Sequence, residues 1–112
     1  NMGDHLKWSE HEFKAYLYLY AAESNFEIHF EEKKLIDSKF NPETIDKIKK
    51  ETGDLNDFQR SQIITNYIKS KSYTEKQLDE LLSEIKEIYF ADGNFDQYEQ
   101  SIYNMLNKIM KQ

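Results

Sequence analysis

The chain has 112 residues, enough for one hydrophobic core but too few for two, so we expect a single domain. Its 21 acidic and 15 basic residues give a net charge of -6, which disfavours nucleic acid as a partner because phosphates would be repelled. The sequence contains no cysteine, which excludes disulfides, thiolate nucleophiles and cysteine-rich metal sites.

The first residues indicate where the domain begins, and the apolar runs indicate whether the chain could cross a membrane. Asn1 before Met2 is typical of a residue left after removal of an expression tag, so the predicted domain covers residues 2–112. The longest apolar run, residues 15–22, is far shorter than the ~20 residues that span a bilayer. We expect a cytoplasmic protein without a transmembrane segment, which reaches a membrane only peripherally, through a partner.

The first predicted helix begins at Ser9, which has capping-box spacing to Glu12. Residues 15–22 read Ala-Tyr-Leu-Tyr-Leu-Tyr-Ala-Ala and could form a buried strand, but the cap and the paired alanines favour a helix. A helix that is apolar on all sides has to be surrounded, so we place it at the centre. Its tyrosines cannot all face one way, and some hydroxyl groups should reach the surface or a buried acceptor.

Three shorter patterns predict the next helices. Leu35, Ile36 and Phe40 mark the second helix. Asn41-Pro42 begins the third, because proline needs no N–H partner at the first helical position, and Gly53 ends it. A weaker stripe between residues 54 and 69 predicts the fourth helix, with the apolar residues Phe58, Ile64, Tyr67 and Ile68.

The last two helices have the most regular patterns. Their starts have capping-box spacing, in Thr74 with Gln77 and in Asp96 with Glu99. Over residues 75–90, six apolar side chains share one face: Leu78, Leu81, Leu82, Ile85, Ile88 and Tyr89. The final helix has a similar face, with Ile102, Met105, Leu106 and Ile109. We therefore predict an all-α fold, a compact bundle of about six helices.

A short pattern occurs twice, before the second helix and before the last. In each copy an Asx residue, Asn25 or Asp92, precedes an apolar residue by three positions and a glutamate, Glu32 or Glu99, by seven. Each copy ends one hydrophobic segment and begins another. The chain is therefore predicted to contain an internal pseudo-repeat of two helix-turn-helix units with carboxylates at their corners.

Residues 88–99, Ile-Tyr-Phe-Ala-Asp-Gly-Asn-Phe-Asp-Gln-Tyr-Glu, resemble the Ala-Asp-Gly-x-apolar-x-x-x-Glu signature of the TerB-like (tellurite-resistance) family. Residues 18–22, with Ile28 and residues 31–36, resemble the N-terminal half of that family. The resemblance covers most of the chain outside residues 41–70. It implies an all-helical domain with pseudo-symmetry, associated with tellurite and stress resistance, often near membranes, without an established catalytic activity.

The resemblance also implies a divalent-cation site at the acidic corners. Asp92 and Glu99 form the acidic pair of the second unit, and Asn25 and Glu32 that of the first. Asn25 stands where the family has Asp, so one ligand has lost its charge. Independently of the family, the second corner is rich in oxygen side chains, and calcium binds six to eight oxygens at roughly 2.3 to 2.6 Å. The expected cofactor is a divalent cation, calcium by preference, or else none.

Helix capping explains most of the same residues without a metal. Gly93 can adopt the left-handed conformation that ends a helix, and Asp96 with Glu99 caps the next one. The sequence favours this architectural interpretation, in which only Asp92 has no role. The three histidines have no metal-ligand spacing and are expected at the surface.

We therefore expect a TerB-like module that is not an enzyme and binds an unidentified protein partner; if its corners hold a cation, the ligands are Asp92, Glu99, Glu32 and Asn25. No catalytic residue is assigned, because the sequence has no P-loop, GxSxG or dinucleotide motif. The alternative is a metal-free interaction module. It predicts an exposed aromatic surface around Trp8 and residues 16–20, with the acidic corners serving only as caps.

Overall fold

The computed structural model describes residues 3–23, 29–91 and 93–112. A short 3-10 helix, Asp4–Lys7, is followed by six α-helices: α1 (Glu10–Glu23), α2 (Phe30–Lys39), α3 (Pro42–Thr52), α4 (Asp57–Lys71), α5 (Glu75–Tyr89) and α6 (Gln97–Met110). Over the described ranges there is no strand, so the predicted all-α bundle of six helices is confirmed. In that same part of the chain, each helix is too short or too polar to cross a membrane.

Hydrogen bonds confirm the predicted helix starts. At the start of α1, Ser9 Oγ accepts from the Glu12 N–H (3.1 Å), and Glu12 Oε1 accepts from the Ser9 N–H (2.8 Å). Two further predicted caps are also present, namely Asn41 at α3 and Thr74 with Gln77 at α5. The helix α4 begins with a reciprocal cap that was not predicted, Asn56 with Gln59. Local spacing therefore sets where these helices begin.

The helix α1 is central, as predicted from its apolar run. It packs against α2, α3 and α5. Most of its side chains are buried, namely Phe13, Ala15, Tyr16, Leu17, Tyr18, Leu19, Ala21 and Ala22. The Tyr16 hydroxyl donates to the Arg60 carbonyl oxygen (2.7 Å), and the Tyr18 hydroxyl donates to Glu84 Oε2 (3.2 Å). The two buried tyrosines thus meet their hydrogen-bonding needs inside the bundle.

The helix α5 presents its predicted apolar face to α1, α2 and α6. All six residues of that face are buried. In α6, Leu106 and Met110 are buried, whereas Ile102, Met105 and Ile109 are partly buried against the core. This packing brings the C-terminal end of α5 beside the N-terminal ends of α2 and α6, where Glu32 and Glu99 lie.

Two expectations about aromatic side chains are wrong. Phe58, expected in the apolar stripe of α4, is 68% exposed, and Ile63 is buried instead. Six positions separate Phe58 from Ile64, and with about 3.6 residues per turn this places Phe58 on another face. Around Trp8 and residues 16–20 the expected exposed aromatic surface is not found, since Trp8, Tyr16 and Tyr18 are buried and Tyr20 is half-buried. Trp8 Nε1 donates to Glu51 Oε1 (2.8 Å), and its ring lies 5.2 Å from that of Tyr16.

Candidate metal site at the N-terminal ends of two helices

Two glutamates at equivalent helix positions form the centre of the site. Glu32 is the third residue of α2, and Glu99 is the third residue of α6. Glu32 Oε1 accepts from the His29 backbone N–H (3.4 Å), and Glu99 Oε1 accepts from the Asp96 backbone N–H (3.1 Å). Asp96 Oδ1 in turn accepts from the Glu99 N–H (2.8 Å). Each carboxylate is thereby held at a helix N-terminus, where the helix dipole favours negative charge.

The two carboxylates are buried and close together. Glu32 is 0% exposed and Glu99 is 1% exposed. An oxygen of each and a ring nitrogen of His29 all lie within 4.8 Å of one another. Two buried carboxylates at this separation repel each other when both are ionised, and a cation bound between them would offset that repulsion.

Tyr89 brings a third helix to the same site. The side chain is 0% exposed, and its hydroxyl has no hydrogen-bond partner among the described residues. Burial raises the pKa of Tyr89, and the charges of Glu99 and Glu32 raise it further. The ring stacks on Phe95, with centroids 5.8 Å apart. A protonated hydroxyl from α5 therefore lies within electrostatic reach of both carboxylates.

Of the four sequence-predicted ligands, the structure brings Glu32 and Glu99 together. Asn25 and Asp92 lie outside the described residues, so their part in the site stays a prediction, and so does the pseudo-repeat that contains them. Gly93 has a φ of +89°, which is the left-handed conformation expected where α5 gives way to α6. Both interpretations of the corner, as a cap and as a cation site, therefore remain compatible with its backbone.

His29 joins this group although the sequence analysis expects histidines at the surface. It is half-buried and immediately precedes α2. The available signal is its spacing, because His29 precedes Glu32 by three residues, as Asp96 precedes Glu99. No local histidine motif could reveal the group, since Glu99 comes from a distant helix. His5 also differs from the expectation, because it is buried with its ring 6.1 Å from that of Trp8.

Comparison with protein-family models, with curated proteins and with solved structures finds no match to this chain. The TerB-like resemblance therefore rests on the sequence motifs alone. An all-α bundle does not specify an activity, because the same architecture carries many functions. Function has to be argued from the site that Glu32, Glu99, His29 and Tyr89 form.

Proposed function

We propose that this protein is a non-catalytic, TerB-like helical module that binds a divalent cation between α2 and α6. The observation that carries the proposal is the pair of buried carboxylates, Glu32 and Glu99, which come from two separate helices and meet beside His29. An ion with two positive charges would neutralise both carboxylates. It would also link the two helix N-termini, and with them the two halves of the chain.

Capping alone accounts for only part of this arrangement. It uses Oε1 of Glu32 and Oε1 of Glu99, which accept hydrogen bonds from the N-cap residues. It does not require that the two carboxylates be buried or that they approach each other. Removing a carboxylate from water costs several kcal/mol unless a charge or hydrogen bonds compensate, and a cation would provide that compensation.

The proposal assigns no catalysis to the site. Glu32 and Glu99 are at most 1% exposed, so a substrate larger than an ion would have no direct access to their carboxylates. A bound ion in such a place is expected to stabilise the fold, as structural metal ions do.

The protein partner and the link to stress or tellurite resistance are supported by the TerB-like resemblance only. The aromatic surface that we expected for the metal-free alternative is missing, because Trp8, Tyr16 and Tyr18 are buried. Large exposed apolar side chains occur elsewhere, at Leu6, Phe30, Phe58, Phe90 and Tyr98. The cation site is therefore the part of the proposal with the stronger structural support.

Thermal unfolding of EDTA-stripped protein tests the cation site, with calcium, magnesium, manganese or zinc added separately. An ion at 100 times its Kd should add about 2.7 kcal/mol to the free energy of unfolding. Glu99→Gln should abolish this response, because it removes a ligand charge while its amide oxygen can still cap α6. Asp92→Ala should also abolish it if Asp92, one of the two remaining sequence-predicted ligands, takes part.

Glu12→Gln is the matched control, because Glu12 is the third residue of α1 and caps its helix in the same way as Glu99. This variant should keep the full response to the ion. The proposal would be overturned by the absence of a shift with every ion up to millimolar concentration. A shift of equal size in the Glu99→Gln protein would also overturn it, because the ion would then bind elsewhere.

A further inference from the structure

We infer that the ion at this site is a divalent transition metal that accepts a nitrogen ligand, with Zn²⁺ as the representative, rather than calcium. The inference rests on the proposed cation site and specifies which class of ion that site selects. It differs from the sequence-based prediction of calcium, which rests on the oxygen side chains of the corners alone. The structure adds the imidazole of His29 to the group.

The chemistry of the donors favours a transition metal. Calcium is a hard ion that prefers oxygen ligands and takes six to eight of them. Imidazole nitrogen suits zinc, iron, nickel and copper much better. The described group contains two carboxylates and one imidazole, Glu32, Glu99 and His29. Zinc accepts both imidazole and carboxylate ligands, and sites with three protein ligands keep water or a substrate in the fourth position.

The distances are compatible with such a site after a small adjustment. Ligand atoms around a tetrahedral zinc ion, with bonds of roughly 2.0 to 2.2 Å, lie about 3.3 Å from one another. The three donor atoms of the group now lie within 4.8 Å of one another. Both glutamates are held at their helices by caps, and His29 is the N-cap residue of α2, so side-chain rotation within these caps has to bring the donor atoms closer.

The Tyr89 hydroxyl is a second observation that points to a bound ligand. It is a buried donor without a partner among the residues described, and the charges of Glu99 and Glu32 act on it. A buried hydroxyl normally has a partner, because leaving it unsatisfied costs stability. Water on the fourth position of the metal could accept a hydrogen bond from Tyr89. The same residue would then help to hold that water in place.

The charges of the three side chains also match the charge of a divalent ion. Two ionised carboxylates and a neutral imidazole neutralise one divalent ion, which is the favourable state for a buried site.

The test compares the EDTA-stripped wild type with His29→Asn. Asparagine is a good N-cap, so α2 should keep its start, and its amide oxygen replaces a nitrogen ligand with an oxygen ligand. His11→Asn is the matched control, because it removes an exposed histidine from α1. Zn²⁺, Co²⁺, Ca²⁺ and Mg²⁺ are titrated separately. The readouts are thermal unfolding and, for Co²⁺, the visible absorption bands that report its ligands and geometry.

We expect Zn²⁺ to bind the wild type and His11→Asn at least 10 times more tightly than Ca²⁺. His29→Asn should weaken Zn²⁺ binding at least 10-fold, remove the intense Co²⁺ bands and leave Ca²⁺ binding within about threefold, as expected for the loss of one zinc ligand. Glu99→Gln should abolish the response to every ion.

Preference for Ca²⁺ in the wild type, or Zn²⁺ binding that is unchanged in His29→Asn, would overturn this inference and leave the cation site intact. Absence of a response to all four ions, or an undiminished response in Glu99→Gln, would overturn the cation site itself. The two failures are therefore distinguishable in one set of titrations.

Discussion

The helix start at α1 and the starts at α2 and α6 use the same chemistry in different surroundings. Glu12 accepts from the Ser9 N–H through Oε1, and its Oε2 lies 2.7 Å from Lys47 Nζ at the surface. Glu32 and Glu99 occupy the same helix position, but both are buried and adjacent to each other. A capping glutamate therefore becomes a candidate ligand only where packing removes it from water and places it beside another acid.

The sharpest test of this difference is whether a Glu→Gln substitution stabilises or destabilises the metal-free protein. Glu99→Gln should raise the free energy of unfolding by about 1 to 2 kcal/mol, because it removes the repulsion between two buried carboxylates. Glu12→Gln should lower it, because the ion pair with Lys47 is lost. Urea denaturation at neutral pH without metal measures both. A loss of stability in Glu99→Gln would show that the protein itself compensates the two buried charges.

A pair of Tyr→Phe substitutions tests whether the Tyr89 hydroxyl lacks a hydrogen-bond partner when no ligand is bound. Tyr89→Phe should leave the metal-free protein unchanged or more stable by about 1 kcal/mol, because its hydroxyl has no partner among the described residues. Tyr16→Phe should cost about 1 kcal/mol, because its hydroxyl donates to the Arg60 carbonyl oxygen at 2.7 Å. Denaturation curves of both variants provide the comparison. Equal losses would mean that the Tyr89 hydroxyl is already satisfied.

The ion pair between Glu12 and Lys47 at the start of α1 should have a smaller effect, on stability in acid. The hydrogen bond from Lys47 is the largest of the contributions that lower the pKa of Glu12 from its ordinary value of 4.5. Because the pKa is lower in the folded state, this group contributes stability above pH 4.5 that is lost as the pH falls through the folded pKa. The wild type should therefore lose more stability than Glu12→Gln between about pH 5 and about pH 3. Thermal unfolding of both proteins across this range measures the difference, and parallel losses would contradict it.

Much of the fold could be predicted because its signals are local. The Ser9 and Thr74 caps and the apolar face of α5 depend on residues within a few turns of one helix. The placement of Phe58 failed because a weak stripe does not specify its face. The candidate site was predicted in part, because the repeated pattern and the TerB-like resemblance both select Glu32 and Glu99. His29 was missed because nothing in its neighbourhood distinguishes a cap residue from a ligand.

The order of the six helices, the starts of α1, α3, α5 and α6 and the central position of α1 follow from capping and hydrophobic periodicity, which act over short stretches of chain. The meeting of Glu32 with Glu99, and of both with His29 and Tyr89, depends on the packing of α5 against α2 and α6. His29 and Glu32 are distant in sequence from Tyr89 and Glu99, and whether the carboxylates are buried is set by side chains from other helices. Only the tertiary structure could therefore turn two ordinary helix caps into one candidate metal site.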